Sequence, residues 1–88
     1  MIVRYPACFF KEENMYSVIF QDLNYLATCG DNLEDATEMA IECLGFYLSD
    51  LDELPKPTKL GNVNPDKLAE ELDFEYENVI IKCISVEI

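Results

Sequence analysis

The sequence has no histidine and no tryptophan, and only six lysine and arginine residues stand against eighteen aspartate and glutamate residues. Without histidine, general acid–base chemistry would depend on carboxylates, tyrosine or cysteine. Neither a G-x-S-x-G nucleophile motif nor a glycine-rich phosphate loop occurs. We therefore expect a protein that is not an enzyme and that uses no cofactor.

The scarcity of basic residues leaves a net charge of -12 on 88 residues. Proteins that bind nucleic acid neutralise its phosphates with clustered lysine and arginine, and this sequence has no such cluster. Direct binding to nucleic acid is therefore not expected, and the natural complement is a basic protein partner. The alternative is an acidic protein whose charge only keeps it soluble.

Four cysteines are spread along the chain without any C-x-x-C pair: Cys8, Cys29, Cys43 and Cys83. Because paired spacing is typical of zinc sites, we expect no metal centre and interpret Cys43 and Cys83 as small buried apolar residues. The N-terminus lacks the apolar core of a signal peptide, and no segment reaches the roughly 20 apolar residues of a membrane span. These absences predict a cytoplasmic protein with reduced thiols and no membrane contact.

The apolar residues first follow the alternation of β-strands. Strands are predicted over 2–10, 15–20 and 25–29, and the short breaks between them predict an antiparallel meander. Pro6 in the first strand indicates an edge position or a bulge, because proline cannot donate a ladder hydrogen bond. The last segment, 79–88, predicts a fourth strand, which must pair with the meander or with another subunit.

Two helices are predicted between the third and fourth strands. Asn32 is a favoured N-cap for a helix that ends near Leu51, and Asn64, followed by proline, starts a short helix over 65–72. Gly45 in the first helix is expected to allow close packing on the sheet. The order β-β-β-α-(short α)-β predicts an antiparallel α+β fold in a single domain, 1–88.

The long helix carries charge of one sign. Glu34, Glu38 and Glu42 are four residues apart, a spacing at which like charges mildly destabilise a helix. From Glu12 to Pro55 the sequence has eleven acidic residues and no lysine or arginine. Two interpretations stay open: an ordinary solvated helix surface, or a binding surface for a basic partner.

Three segments, taken in order, carry a family resemblance: YPA at 5–7, YSVIFQDL at 16–23 and GDNLEDA at 30–36. The helix end LGFYLSDL, the following LPKPT and the last strand VIIKCISVEI continue it. Together they resemble the N-terminal domain of the HicB family of antitoxins. The sequence departs from the family at 21–26, where QDLNYL replaces the usual P-D-L-P-G-C. It also stops at Ile88, where family members continue, so we expect no C-terminal DNA-binding segment.

The resemblance implies a partial ribonuclease-H-like fold and the function of an antitoxin. Such an antitoxin binds a HicA-like toxin, a small basic ribonuclease that cleaves mRNA, and covers its RNA-binding face. The expected partner-binding residues on this chain are Glu34, Glu38, Glu42, Asp22 and Tyr25. A homodimer or higher homo-oligomer is also expected, since family members commonly oligomerise. The alternative is a HicB-like interaction or regulatory module that acts without a toxin.

Overall fold

The computed structural model describes residues 1–88 and has a four-stranded antiparallel sheet with a helix on each face. The strands are β1 (Ile2–Glu12), β2 (Met15–Phe20), β3 (Leu26–Gly30) and β4 (Asn78–Glu87), and the helices are α1 (Leu33–Ser49) and α2 (Pro65–Glu71). The sheet order is β3-β2-β1-β4. The predicted α+β class and order of elements are confirmed. Neither helix has the length and apolar character that crossing a bilayer requires.

β1 lies between β2 and β4, so it is an interior strand. β1 as a whole is therefore not the edge strand that Pro6 predicted, although Pro6 itself lies outside the part of β1 that pairs with β2. Pairing with β2 begins only at Cys8, however, and Pro6 lies opposite Cys83 of β4. Because no β2 residue is paired with Pro6, the missing N–H removes no hydrogen bond from that side of the sheet.

β4 pairs with β1 of its own chain along its whole length, from Glu87 opposite Ile2 to Asn78 opposite Lys11. Of the two alternatives for the last strand, pairing with the meander is the one found. The chain between β3 and β4, which includes both helices, therefore runs from one edge of the sheet to the other.

The buried face of α1 forms a core with one face of the sheet. Its four buried residues recur every four positions: Ala36, Ala40, Leu44 and Leu48. The sheet and the turn after β2 contribute the rest of this core: Tyr5, Ala7, Phe9, Val18, Phe20, Leu23 and Ile84. Packing of these apolar side chains fixes which face of α1 is left to solvent.

The start of α1 is fixed by a cap and by a glycine. The side chain of Asn32 accepts the N–H of Asp35 at 2.8 Å, which confirms the predicted N-cap. A Cβ on Gly30 would lie 2.6 Å from the Cα of Ala36, so only glycine allows β3 to approach α1 this closely. At Gly45 nothing lies within 4 Å of the corresponding point, and the expectation that it allows close packing is wrong.

α2 and the residues around it cover part of the opposite sheet face. The buried residues of this second core are Cys8, Phe10, Ile19, Val63, Leu68 and Ala69. The Phe10 ring lies edge-to-face with Phe74 at 4.8 Å between ring centres, and 4.9 Å from Tyr76. Asn64 caps α2 by accepting the N–H of Lys67 at 3.1 Å, as predicted.

The cysteines differ in exposure. Cys8 is buried in the second core, and burial raises the pKa of its thiol to about 11. Cys43 is half-buried, whereas Cys29 and Cys83 are exposed. The expectation of a buried role is therefore wrong for Cys83, because α2 does not extend over that end of β4. All four are free thiols.

Candidate functional site

The side of α1 that points away from the sheet carries acidic and apolar side chains together. We call this surface the α1 outer face, and its exposed residues are Glu34, Glu38, Met39, Ile41, Glu42, Phe46 and Ser49. The three glutamates lie there because the buried positions of α1 follow the same four-residue spacing on the other side of the helix. α1 thus brings three of the five predicted partner-binding residues onto one surface.

The negative charge of the α1 outer face is not compensated by basic hydrogen-bond partners of the same chain. The side chains of Glu34, Glu38 and Glu42 take part in none of the hydrogen bonds made by α1. Lys82 of β4 reaches the helix, but its ammonium donates to the Thr37 hydroxyl at 2.9 Å and lies 4.9 Å from the centre of the Phe9 ring. The carboxylates therefore remain available to an external cation.

Large apolar side chains interrupt this acidic surface. Phe46 is 69% exposed, and Met39 is 39% exposed. They are seven residues apart, so they lie on the same side of the helix, next to Glu42. Neither residue was among the predicted partner-binding residues. The available signal was their position outside the stripe of buried residues, where an exposed aromatic side chain is a common anchor in protein interfaces.

Asp22 and Tyr25 lie outside α1, in and after the 3-10 turn Gln21–Leu23. Both carboxylate oxygens of Asp22 accept hydrogen bonds from Thr58, at 2.7 Å from its N–H and 2.6 Å from its hydroxyl. The Tyr25 hydroxyl donates to the carboxylate of Glu71 in α2, and this bond raises the pKa of Tyr25. The two side chains thus bond within the chain, on different elements from the three glutamates.

A second concentration of negative charge lines a cleft of about 680 Å³ beside the turn between β1 and β2. This acidic cleft has five carboxylates in its walls: Glu12, Glu13, Asp31, Glu75 and Glu77. The N–H of Glu77 donates to the carbonyl of Lys11 at 2.9 Å, which holds the segment after α2 against the hairpin. No local sequence pattern indicates the cleft, because its lining comes from three separate segments of the chain, 12–15, 31 and 75–77. No three Cys, Asp or Glu side chains of the chain are grouped so as to hold a metal ion.

Two curated proteins of Photorhabdus laumondii are similar to this chain in sequence. It is 36% identical over 63 residues to Antitoxin HicB 2 and 38% identical over 64 residues to Antitoxin HicB 1. Each match covers 67% of this chain but only 45% and 41% of the respective relative, so the chain spans less than half of their length. No family model matches the sequence.

Among solved structures, the fold matches a chain of a toxin–antitoxin complex from Streptococcus pneumoniae with a TM-score of 0.83 and 28% sequence identity. The match covers 99% of this chain and 70% of that chain. The resemblance carried by the YPA, YSVIFQDL and GDNLEDA segments is therefore confirmed by sequence and by fold. The chain is thus similar to HicB antitoxins in sequence and to a chain of a toxin–antitoxin complex in fold.

Proposed function

We propose that the protein is an antitoxin that binds a HicA-like toxin ribonuclease and covers the face with which the toxin binds RNA. The observation that carries this proposal is the uncompensated negative charge of the α1 outer face around the exposed Phe46. The likeness to HicB antitoxins and to a chain of a toxin–antitoxin complex supports it.

The charge of the α1 outer face suits a protein that normally binds RNA. Glu34, Glu38 and Glu42 form a row of carboxylates about 12 Å long, since each helical residue rises about 1.5 Å. A ribonuclease of mRNA must present basic side chains to the phosphates of its substrate. A row of carboxylates can occupy those side chains in place of phosphates, which prevents RNA from binding.

The apolar residues of the same face supply the contacts that hold the complex together once it has formed. Complementary charge mainly accelerates association and selects the partner, whereas burial of a few aromatic or aliphatic side chains holds the complex together. Phe46, with Met39 beside it, is the best-exposed aromatic anchor next to the row of glutamates. In this proposal the glutamates set the association rate and the choice of partner, and Phe46 sets how long the complex lasts.

The first experiment searches beside this chain's gene for a gene that encodes a small basic protein and co-expresses the two. Rescue of growth and co-purification of the two proteins are the expected results. Absence of both would reject the antitoxin proposal and leave a HicB-like interaction module that acts without a toxin.

The second experiment tests the surface. A variant with Glu34→Lys, Glu38→Lys and Glu42→Lys changes the net charge from -12 to -6, since each replacement adds two charges. Electrostatic steering changes association rates by roughly 10–1000-fold, so we expect association to slow at least about tenfold and to lose much of its salt dependence.

The matched control is Glu70→Lys, Glu75→Lys and Glu77→Lys, which makes the same change of net charge at exposed positions in and after α2. We expect association close to the wild-type rate. Equally slow association of both variants would show an effect of net charge alone. Slow association of the control variant only would place the toxin at the acidic cleft, because Glu75 and Glu77 line that cleft.

A further inference from the structure

β4 forms one edge of the sheet, and its outer side is paired with no other element of the chain. It is ten residues long, whereas β3 at the opposite edge is five. An unpaired strand edge is a template for a further strand. We propose that β4 pairs in antiparallel fashion with β4 of a second copy, which joins two four-stranded sheets into one continuous sheet.

The hydrogen bonds at the end of the strand show which residues face outward. Met1 and Ile88 bond to each other in both directions, at 3.1 and 2.8 Å, so they form a hydrogen-bonded pair. Because such pairs alternate with non-bonded pairs, the even-numbered residues of β4 bond to β1. Pro6 lies opposite Cys83, an odd-numbered residue, so its missing N–H falls in a pair that makes no hydrogen bond between β1 and β4. The residues whose N–H and C=O groups point to the open edge are Val79, Ile81, Cys83, Ser85 and Glu87.

The charge of β4 favours a second copy of this chain as its partner. The strand has one base, Lys82, and one acid, Glu87, so it is neutral in a chain of net charge -12. Two copies that met through the α1 outer face or the acidic cleft would repel each other, whereas the β4 edge brings no net charge together. A lysine often protects an edge strand, but the ammonium of Lys82 is bound to Thr37 over the sheet face.

The sheet faces, the charge of Lys82 and the outward-facing hydrogen-bonding groups together select one register for the two strands. Opposite residues of an antiparallel pair share a sheet face, so the two-fold axis passes through a residue of β4 and not between two residues. An axis at Lys82 would place two lysines opposite each other, which is unfavourable. An axis at Cys83 satisfies every outward-facing N–H and C=O group from 79 to 87. In this register Ile80 lies opposite Val86, and Cys83 lies opposite Cys83 of the second copy.

A proline at an outward-facing position tests this pairing without touching the β1 ladder. Ser85→Pro removes an N–H that points only to the open edge, and Ser85→Ala keeps that N–H while removing the same hydroxyl. By analytical ultracentrifugation we expect a wild-type dimer, unchanged by Ser85→Ala and weakened at least about tenfold by Ser85→Pro, since two hydrogen bonds are lost per dimer. Circular dichroism confirms that the variants are folded.

A short bismaleimide cross-linker gives an independent readout that does not depend on the folding of Ser85→Pro. Cys29 and Cys83 are both exposed and lie on opposite edge strands, so each serves as control for the other. We expect a cross-linked dimer in wild type and in Cys29→Ser, and none in Cys83→Ser. A monomer at all concentrations, a dimer that survives Ser85→Pro, or cross-linking through Cys29 would overturn the proposal. Loss of toxin binding in Ser85→Pro with a monomeric wild type would assign the edge to the toxin instead.

Discussion

Both carboxylate oxygens of Asp22 are occupied by Thr58, one by its N–H at 2.7 Å and the other by its hydroxyl at 2.6 Å. Thr58 lies in the connector between the helices, 36 residues along the chain from Asp22. A third hydrogen bond, from the Tyr5 hydroxyl to the carbonyl of Pro55 at 2.5 Å, ties the same connector to β1. The path of the chain across the sheet therefore depends on two polar contacts near the turn after β2.

Asp22→Asn should destabilise the fold, because an amide replaces one of the two acceptors with a donor that faces the N–H or the hydroxyl of Thr58. Hydrogen bonds to charged groups contribute about 1.5–3 kcal/mol, and partial exposure of Asp22 places the expected loss near the lower value. Urea denaturation measures it. Asp31→Asn, at an exposed acid that accepts no hydrogen bond, is the control and should leave the midpoint unchanged. Equal urea midpoints in the two variants would show that the bonds of Asp22 to Thr58 do not stabilise the fold.

Gly30→Ala and Gly45→Ala should have opposite effects on stability. A methyl group at Gly30 would meet backbone atoms of α1 at 2.6 and 2.8 Å, and backbone cannot move aside as a side chain can. We expect a loss of about 1–3 kcal/mol, as for overpacked cores. At Gly45 the methyl group meets nothing within 4 Å, and alanine is the better helix former by about 1 kcal/mol. Thermal melts of the two variants should therefore shift in opposite directions from wild type, and a shift in the same direction would contradict the account.

Features that depend on a few neighbouring residues could be predicted from the sequence. The N-caps at Asn32 and Asn64 and the antiparallel meander were predicted correctly, because capping and alternation act within a few residues. The positions of Glu34 and Glu42 on an exposed face followed from the same helical period.

Features made by distant segments could not be predicted. The exposure of Cys83 depends on how far α2 extends over β4, and the setting of Pro6 depends on where pairing with β2 begins. The bond between Asp22 and Thr58 and the acidic cleft likewise join segments that no local pattern relates. Asp22 was predicted to bind a partner, whereas its carboxylate bonds to Thr58 inside the chain.

Stability should fall as the pH rises from about 9 to 11. Burial raises the pKa of the Cys8 thiol from 9.0 to about 11 and also raises the pKa of Tyr5. A raised pKa in the folded state means that the unfolded chain ionises first. The stability that comes from keeping the buried group neutral is therefore fully present below pH 9 and is lost as the pH rises through this interval. Urea denaturation at pH 8, 9.5 and 10.5 measures the slope. Cys8→Ala should flatten it while Cys83→Ala leaves it unchanged, and an equal slope in all three proteins would contradict the assignment.

Phe46→Ala separates binding from folding more cleanly than any change of charge. The side chain is 69% exposed, so its truncation removes little from the core, and we expect a change in the free energy of unfolding within about 0.5 kcal/mol. Leu44→Ala, two residues earlier and fully buried, should cost about 2–5 kcal/mol. If Phe46 anchors the toxin, its loss should raise the dissociation rate at least about tenfold, while the association rate stays near wild type because the glutamates are intact. Surface plasmon resonance with the co-purified basic protein resolves the two rates. A dissociation rate equal to wild type would exclude Phe46 from the interface, and a slower association rate would mean that Phe46 acts before the complex has formed.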